Sequence, residues 1–215
     1  MLKIYGSDLS SPSNKVRFTA NYLGIPYEYI KINLRAGEHQ APEFLKINPV
    51  GKIPAMDDGG FILWESGAIC KYLANKQKSD LYPGEFKERA IVDQWLDFST
   101  LHVGMAVSRV LYNRVFAAMR KEEVDERSIK ENLKFLERFF PVVDQQLGKN
   151  AYLTGNKWTL ADITLLAGLD PIEIAHIDIS SYKNIVKWRN GLKQKDFYTK
   201  CYKEYGEALK QAASR

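Results

Sequence analysis

The spacing of apolar residues along this chain changes near residue 80. Before that point, short runs suited to strands alternate with short amphipathic stretches; after it, helical spacing takes over. Leu2 to Tyr5 predicts a strand that begins at once. Ser11-Pro12 predicts a helix start, with an N-cap followed by proline at the first helical position. Val16, Ala20 and Leu23 follow at helical spacing, and Gly24 is placed to end the helix. Tyr27 to Leu34, rich in β-branched and aromatic residues, predicts a second strand. A helical turn at Pro42 to Lys46 precedes two short strands, Ile53 to Met56 and Phe61 to Trp64, set around the hairpin signal Asp57-Asp58-Gly59-Gly60. A helix with Ile69, Tyr72 and Leu73 on one face closes this part, giving the order βαβ, helical turn, ββα.

Asn75 to Glu85, with its Pro83-Gly84 pair, reads as a connector. The predicted division is an α/β domain over 1–77, a linker over 78–85 and an all-α domain over 86–215. The clearest helical face is Ile129, Leu133, Leu136, Phe140, Val143 and Leu147, spaced alternately four and three apart. Thr159-Leu160-Ala161-Asp162 fits a helix start in which a carboxylate reaches back to the cap. Ile185, Trp188 and Leu192 give one more helical face.

Composition adds exclusions. The 215 residues suffice for two small domains, and no apolar run approaches the roughly 18 residues of a membrane span. The N-terminus lacks the charged, apolar and small-residue order of a signal peptide, so a cytoplasmic protein without a membrane partner is expected. Cys70 and Cys201 stand far apart in no metal or redox spacing, and read as buried thiols in a reducing compartment. The three histidines are scattered singly, so no metal is expected. The net charge of +5 draws on a basic excess from Lys183 to Arg215. These lysines are spread through a helical pattern with no clustered stripe, which suits a solvated face rather than nucleic-acid binding.

Three segments carry chemistry. Gly6 to Ser13 holds four serines at the end of a strand and the start of a helix, where free N–H groups and a partial positive charge favour an anion. By local sequence, Ser10 and Ser11 also suffice as plain helix caps. Asn48-Pro49-Val50-Gly51-Lys52-Ile53-Pro54 places a proline at a strand start. A cis bond there would turn the Ile53 backbone outward to pair with an extended peptide, and Lys52 would attract a carboxylate; an ordinary loop reads the same way. Glu65-Ser66 stands between a strand and a helix, where Ser66 caps the helix and the pair also suits the α-amino acid end of a ligand. A serine hydrolase would need a partnered base, and the chain has no Gly-x-Ser-x-Gly elbow.

In this order the segments resemble the cytosolic glutathione transferase family, over essentially the whole chain. The likeness rests on Tyr5-Gly6 through Val16, Pro42-Glu43-Phe44-Leu45 leading into Asn48 through Pro54, and Asp58-Gly59 followed by Leu63 through Ile69 and Tyr72-Leu73. Leu160-Ala161-Asp162-Ile163 extends it into the second half. The resemblance implies a thioredoxin-like α/β domain joined to an all-α domain, with glutathione as co-substrate and no metal. It implies that Ser10, with Ser11 as the alternative, meets the glutathione sulfur. Ile53 beside a cis-Pro54 would hold the cysteinyl unit, Glu65 and Ser66 the γ-glutamyl end, and Lys52 and His39 the glycine carboxylate. The pattern looks most like the serine-type phi and theta classes and bacterial relatives. The resemblance implies that Leu9, His102, Met105, Arg109 and Tyr112 meet a small apolar electrophile, although by spacing alone Met105, Arg109 and Tyr112 equally suit core packing and His102 a structural role, and a homodimer is implied. Reduction, isomerisation or dehalogenation on the same site, or a non-catalytic ligand-binding module of this fold, are the other readings.

Overall fold

The computed structural model describes residues 1–207. It divides into two compact units: Met1–Tyr82 together with the described residues from Lys195, and Pro83–Gln194. The second unit, expected to run from 86 to 215, thus ends at Gln194, and the described residues from Lys195, still helical at Asp196–Thr199, pack with the first unit. Residues 208–215 of the basic run lie outside the described residues.

The first unit is built on a four-stranded sheet in the order β2-β1-β3-β4. The strands are β1 (Leu2–Gly6), β2 (Tyr27–Lys31), β3 (Ala55–Asp58) and β4 (Phe61–Trp64). β1 pairs parallel with β2 and antiparallel with β3, and β3 pairs antiparallel with β4. Only the β1–β2 crossover needs a helix, α1 (Ser11–Tyr22). Its C-terminus forms the turn that Gly24 predicts: Gly24 has φ +66°, its N–H donates to the Asn21 carbonyl, and the Ile25 N–H donates to the Ala20 carbonyl. A 3-10 turn (Glu38–Gln40) and the short α2 (Pro42–Leu45) lead to β3, and α3 (Ser66–Lys76) follows β4. Ile4, Val16, Met56, Ile69 and Leu73 form the core between sheet and helices.

Three boundaries differ from expectation. The second strand ends at Lys31, where register with Gly6 ends, rather than at Leu34. β3 starts at Ala55, after Pro54, because Ile53 and Pro54 precede the first pair with β1. The cap of α1 is Ser10, with extended φ −106° and ψ 106°, and Ser11 is already helical.

In the second unit a helical run extends from Phe86 to Arg120. It comprises α4 (Phe86–Asp97), α5 (Met105–Leu111) and α6 (Ala117–Arg120), joined by π-helical turns at Phe98–Gly104 and Tyr112–Phe116. α7 (Glu126–Lys149) buries Ile129, Leu136, Phe140, Val143 and Leu147, the face that the spacing predicts. α8 (Leu160–Leu169) is buried on nearly every side, and its Gly168 brings the backbone close to Gly104 of the first π turn; a Cβ there would lie 3.4 Å from the Gly104 Cα. The Asp162 carboxylate accepts from the Thr159 N–H (3.1 Å) and the Leu153 N–H (3.0 Å), the reach-back the sequence predicts. α9 (Lys183–Lys193) buries Ile185, Trp188 and Leu192. No helix among the described residues is long and apolar enough to cross a membrane.

Candidate active site

Sheet register brings the three chemical segments to one end of the first unit. Tyr5 of β1 pairs with Ala55 of β3, and Ala55 pairs with Trp64 of β4. The segment leaving β1 toward Ser10, the Ile53-Pro54 segment entering β3 and the Glu65-Ser66 segment leaving β4 therefore emerge from the same edge. α1 and α3 both begin there, so two helix N-termini add partial positive charge.

The serine segment is held firmly. Gly6 lets the first turn of α1 approach β1: a Cβ at this position would lie 2.8 Å from both the Ser13 Cβ and Oγ. Asp8 accepts from Arg17 (2.7 Å) and pairs with Lys31 (2.6 Å), and its carbonyl accepts from the Asn14 amide (2.8 Å). The Arg17 guanidinium also lies 4.2 Å from the Tyr29 ring centroid. The Ser10 Oγ accepts from the Ser13 N–H at 3.2 Å, which is the helix-cap bond. Because that hydroxyl accepts, its own proton stays available to donate. Ser10 and Ser11 are both half-buried.

The Ile53-Pro54 bond is cis. Asn48, 2% exposed, braces the approach to it by accepting from the Val50 N–H (3.1 Å) and donating to the Lys52 carbonyl (2.6 Å). The Gln40 side chain donates to the Gly51 carbonyl (3.0 Å), tying the turn that carries His39 to the segment that carries Lys52. The His39 Nδ1 is buried without a hydrogen-bond partner, and Lys52 is exposed.

Glu65, rather than Ser66, occupies the position before α3, and it does so at φ 70° and ψ 110°. A non-glycine residue in that region costs about 1–3 kcal/mol, and such strain gathers at binding sites. The Glu65 carboxylate caps nothing and is exposed, and Ser66 is the first helical residue.

The residues expected to meet the electrophile are not brought together within one unit. Leu9 belongs to the first; His102, Met105, Arg109 and Tyr112 form an exposed row in the second. His102 packs its ring on Phe98 (5.6 Å between centroids) and Phe139 (5.2 Å), and the Tyr112 hydroxyl bonds to Glu122. Among the described residues no group of three His, Cys, Asp or Glu side chains could hold a metal.

Two further features escape the sequence patterns. Lys15 is 5% exposed inside α1, and burial pushes its ammonium below the usual lysine range, against the attraction of Cys70 and Glu65. Tyr205, also buried, donates its hydroxyl proton to the Leu9 carbonyl. A lysine among buried positions of a helix packed on both sides is a signal once that packing is known. Tyr205 has none, because it lies 196 residues from its partner.

The fold and the convergence of these segments define a thioredoxin-like domain followed by a helical one. Residues 2–75 match the N-terminal domain of glutathione S-transferases and residues 111–196 the C-terminal domain. A probable glutathione S-transferase of Oryza sativa subsp. japonica is 36% identical over 169 residues, covering 78% of this chain and 79% of that one. A glutathione transferase of Populus trichocarpa superposes with a TM-score of 0.87 at 26% identity, over 97% of this chain and 99% of that one. Glutathione S-transferase I from maize, solved with an atrazine glutathione conjugate, gives 0.85 at 30% identity, over 93% and 95%. The chain belongs to the glutathione S-transferase family, and it is a transferase that uses glutathione.

Proposed function

We propose that this enzyme is a serine-type glutathione transferase of the phi or theta kind, in which Ser10 donates a hydrogen bond to the sulfur of glutathione. The observation that carries this reading is the Ser10 hydroxyl itself. It stands at the N-terminus of α1, accepts from the Ser13 N–H and keeps its own proton. Donation from that amide polarises the hydroxyl and strengthens the bond it gives in turn. Reported relatives from plants support the phi side of the reading and give no support to the bacterial side.

The energies suffice. A free thiol with a pKa near 8.5 is only about 3% thiolate at pH 7. Lowering that pKa by about two units needs ~2.7 kcal/mol of differential stabilisation. A hydrogen bond to a charged acceptor supplies about 1.5–3 kcal/mol and a helix N-terminus about 0.3–1. The serine acts as a donor and never as a nucleophile, so no base is required. The thiolate sulfur forms the new S–C bond, and the displaced group departs with its electron pair or the adduct takes up a proton.

The remaining assignments follow the same edge of the sheet. The Ile53 backbone beside cis-Pro54 pairs with the cysteinyl unit, Glu65 and Ser66 hold the γ-glutamyl end, and Lys52 with His39 holds the glycine carboxylate. The strained Glu65 backbone and the unpartnered His39 nitrogen support the last two. A small apolar electrophile is assigned to the exposed His102, Met105, Arg109 and Tyr112 of the second unit. The enzyme works in the cytoplasm on foreign or reactive electrophiles, as a homodimer; a monomer mass by light scattering at micromolar concentration contradicts the last point.

The test compares Ser10→Ala and Ser11→Ala with activated aryl halides, enals and peroxides. Ser10→Ala is expected to lower kcat by about 5- to 15-fold near neutral pH, the thiolate lost when the helix N-terminus alone keeps its part of about two pKa units of thiol activation. Ser11→Ala should leave it within a few-fold. The opposite ranking moves the sulfur contact to Ser11, and no loss in either variant removes serine from the mechanism.

A further inference from the structure

The serine segment is fastened from an unexpected direction. From Lys195 the chain returns to α1, where Tyr198 stacks on Phe18 with centroids 5.1 Å apart. Tyr202 meets Tyr198 edge-on at 5.4 Å, and Tyr205 meets Tyr202 edge-on at 6.2 Å. This aromatic ladder delivers the Tyr205 hydroxyl, on a residue only 3% exposed, to the carbonyl oxygen of Leu9. That oxygen belongs to the peptide unit joining Leu9 to Ser10. The N–H of the same unit donates to the Ser7 carbonyl at 3.0 Å. Both polar ends of the plane that leads into Ser10 are therefore held, one by the local turn and one by the C-terminal segment.

We propose that Tyr205 is a positioning residue for the transferase reaction: through the Leu9 carbonyl it fixes the direction in which the Ser10 hydroxyl points. The inference rests on the reading of Ser10 as the donor to sulfur. Hydrogen bonds weaken steeply as they bend, so a small rotation of this peptide costs part of the thiol activation while leaving the glutathione contacts proposed at Ile53 and at Glu65-Ser66 in place. The Ser10 cap bond to Ser13 alone does not fix the direction, because the hydroxyl proton turns about the Cβ–Oγ bond and the backbone sets where that bond stands. Arg17 gives the same segment a second link, since its guanidinium reaches the Cys201 carbonyl at 3.5 Å while holding Asp8.

Tyr205→Phe keeps the ring and removes the hydroxyl. The pKa of bound glutathione is read from thiolate ultraviolet absorbance, alongside kcat and KM for glutathione across pH and the thermal midpoint. The variant is expected to raise the bound-thiol pKa by about 0.5–1 unit and to lower kcat about 3- to 10-fold below that pKa. KM for glutathione should stay within about twofold, because hydrogen bonds made elsewhere on the ligand are untouched. A lower midpoint with an unmoved thiol pKa gives Tyr205 a packing role only and overturns the proposal. Ser10→Ala and the double variant separate the two readings. If Ser10→Ala raises the thiol pKa and Tyr205→Phe does not, the positioning role fails and the serine role stands. If Ser10→Ala itself leaves the thiol unmoved, the serine role fails and this one with it. If Tyr205→Phe still shifts the pKa in the Ser10→Ala background, it acts by another route, which also overturns the proposal.

Discussion

Glu65 holds a backbone conformation that its side chain disfavours, at φ 70° and ψ 110°. A residue kept there by nothing but local packing would be replaced at a gain, since glycine enters this region without a Cβ clash. Glu65→Gly is therefore expected to raise the stability of the ligand-free protein by about 1 kcal/mol, the relieved strain less the added freedom of the unfolded chain. The same change removes the exposed carboxylate proposed to meet the ammonium of glutathione, so KM for glutathione should rise by about tenfold or more. Denaturant unfolding and steady-state kinetics on one preparation check both. A destabilised variant with unchanged KM reverses the argument and makes Glu65 a structural residue. At this scale the sequence was informative about identity and poor about geometry. Glu65-Ser66 stood out as a pair, but only the structure shows that Glu65 occupies the cap position and that the strain falls on it. Ser11-Pro12 suggested the α1 cap by the proline rule, yet the bond from the Ser13 N–H to the Ser10 Oγ moves the cap one residue earlier.

α1 joins the fold to the chemistry, and it is buried from Ser13 to Ala20. The pattern of Val16, Ala20 and Leu23 predicted one apolar face. In the structure the sheet and α3 cover one side and the C-terminal segment another, so the helix also buries Asn14, Lys15 and Arg17. Periodicity could not show this, because a stripe records only the side packed by apolar neighbours. Arg17 meets Asp8, Asn14 and the Cys201 carbonyl. Burial disfavours the Lys15 ammonium and lowers its pKa from the usual 10.5. Below the lowered folded-state value, both folded and unfolded chains carry the proton and the penalty is complete. As pH rises through that value toward 10.5, the folded chain releases the proton first and the penalty fades. Lys15→Met should thus unfold at a higher denaturant concentration than the parent at pH 7, with a margin that shrinks as pH approaches 10.5. A margin that grows with pH, or a less stable variant at pH 7, shows that attraction to Glu65 and the Cys70 thiol outweighs burial.

The whole molecule has a boundary that the linker did not announce. Residues 1–77 looked self-sufficient in sequence because strands, crossover helix and hairpin were all present. What they lack is a cover for the outer side of α1, and the chain supplies it only after Lys195. Phe18 is fully buried between Phe197, at 6.0 Å, and Tyr198, at 5.1 Å. The Asn21 side chain donates to the Phe197 carbonyl at 3.0 Å. No spacing rule links these residues, since a tertiary contact over so long a loop leaves no local period. Burying three aromatic side chains, Phe197, Tyr198 and Tyr205, contributes about 1.5–3 kcal/mol each, together comparable to the 5–15 kcal/mol that separates a typical folded domain from its unfolded chain. A fragment ending at Tyr82 is accordingly expected to lack a cooperative fold, with poorly dispersed amide resonances and no retention on immobilised glutathione. Joining residues 195–207 to that fragment through a short flexible linker should recover dispersion, because the linker raises the local concentration of the missing cover. A fragment 1–82 that is folded and retained without the addition would mean that α1 tolerates an open side, and the C-terminal segment would then be left with the serine loop as its only task.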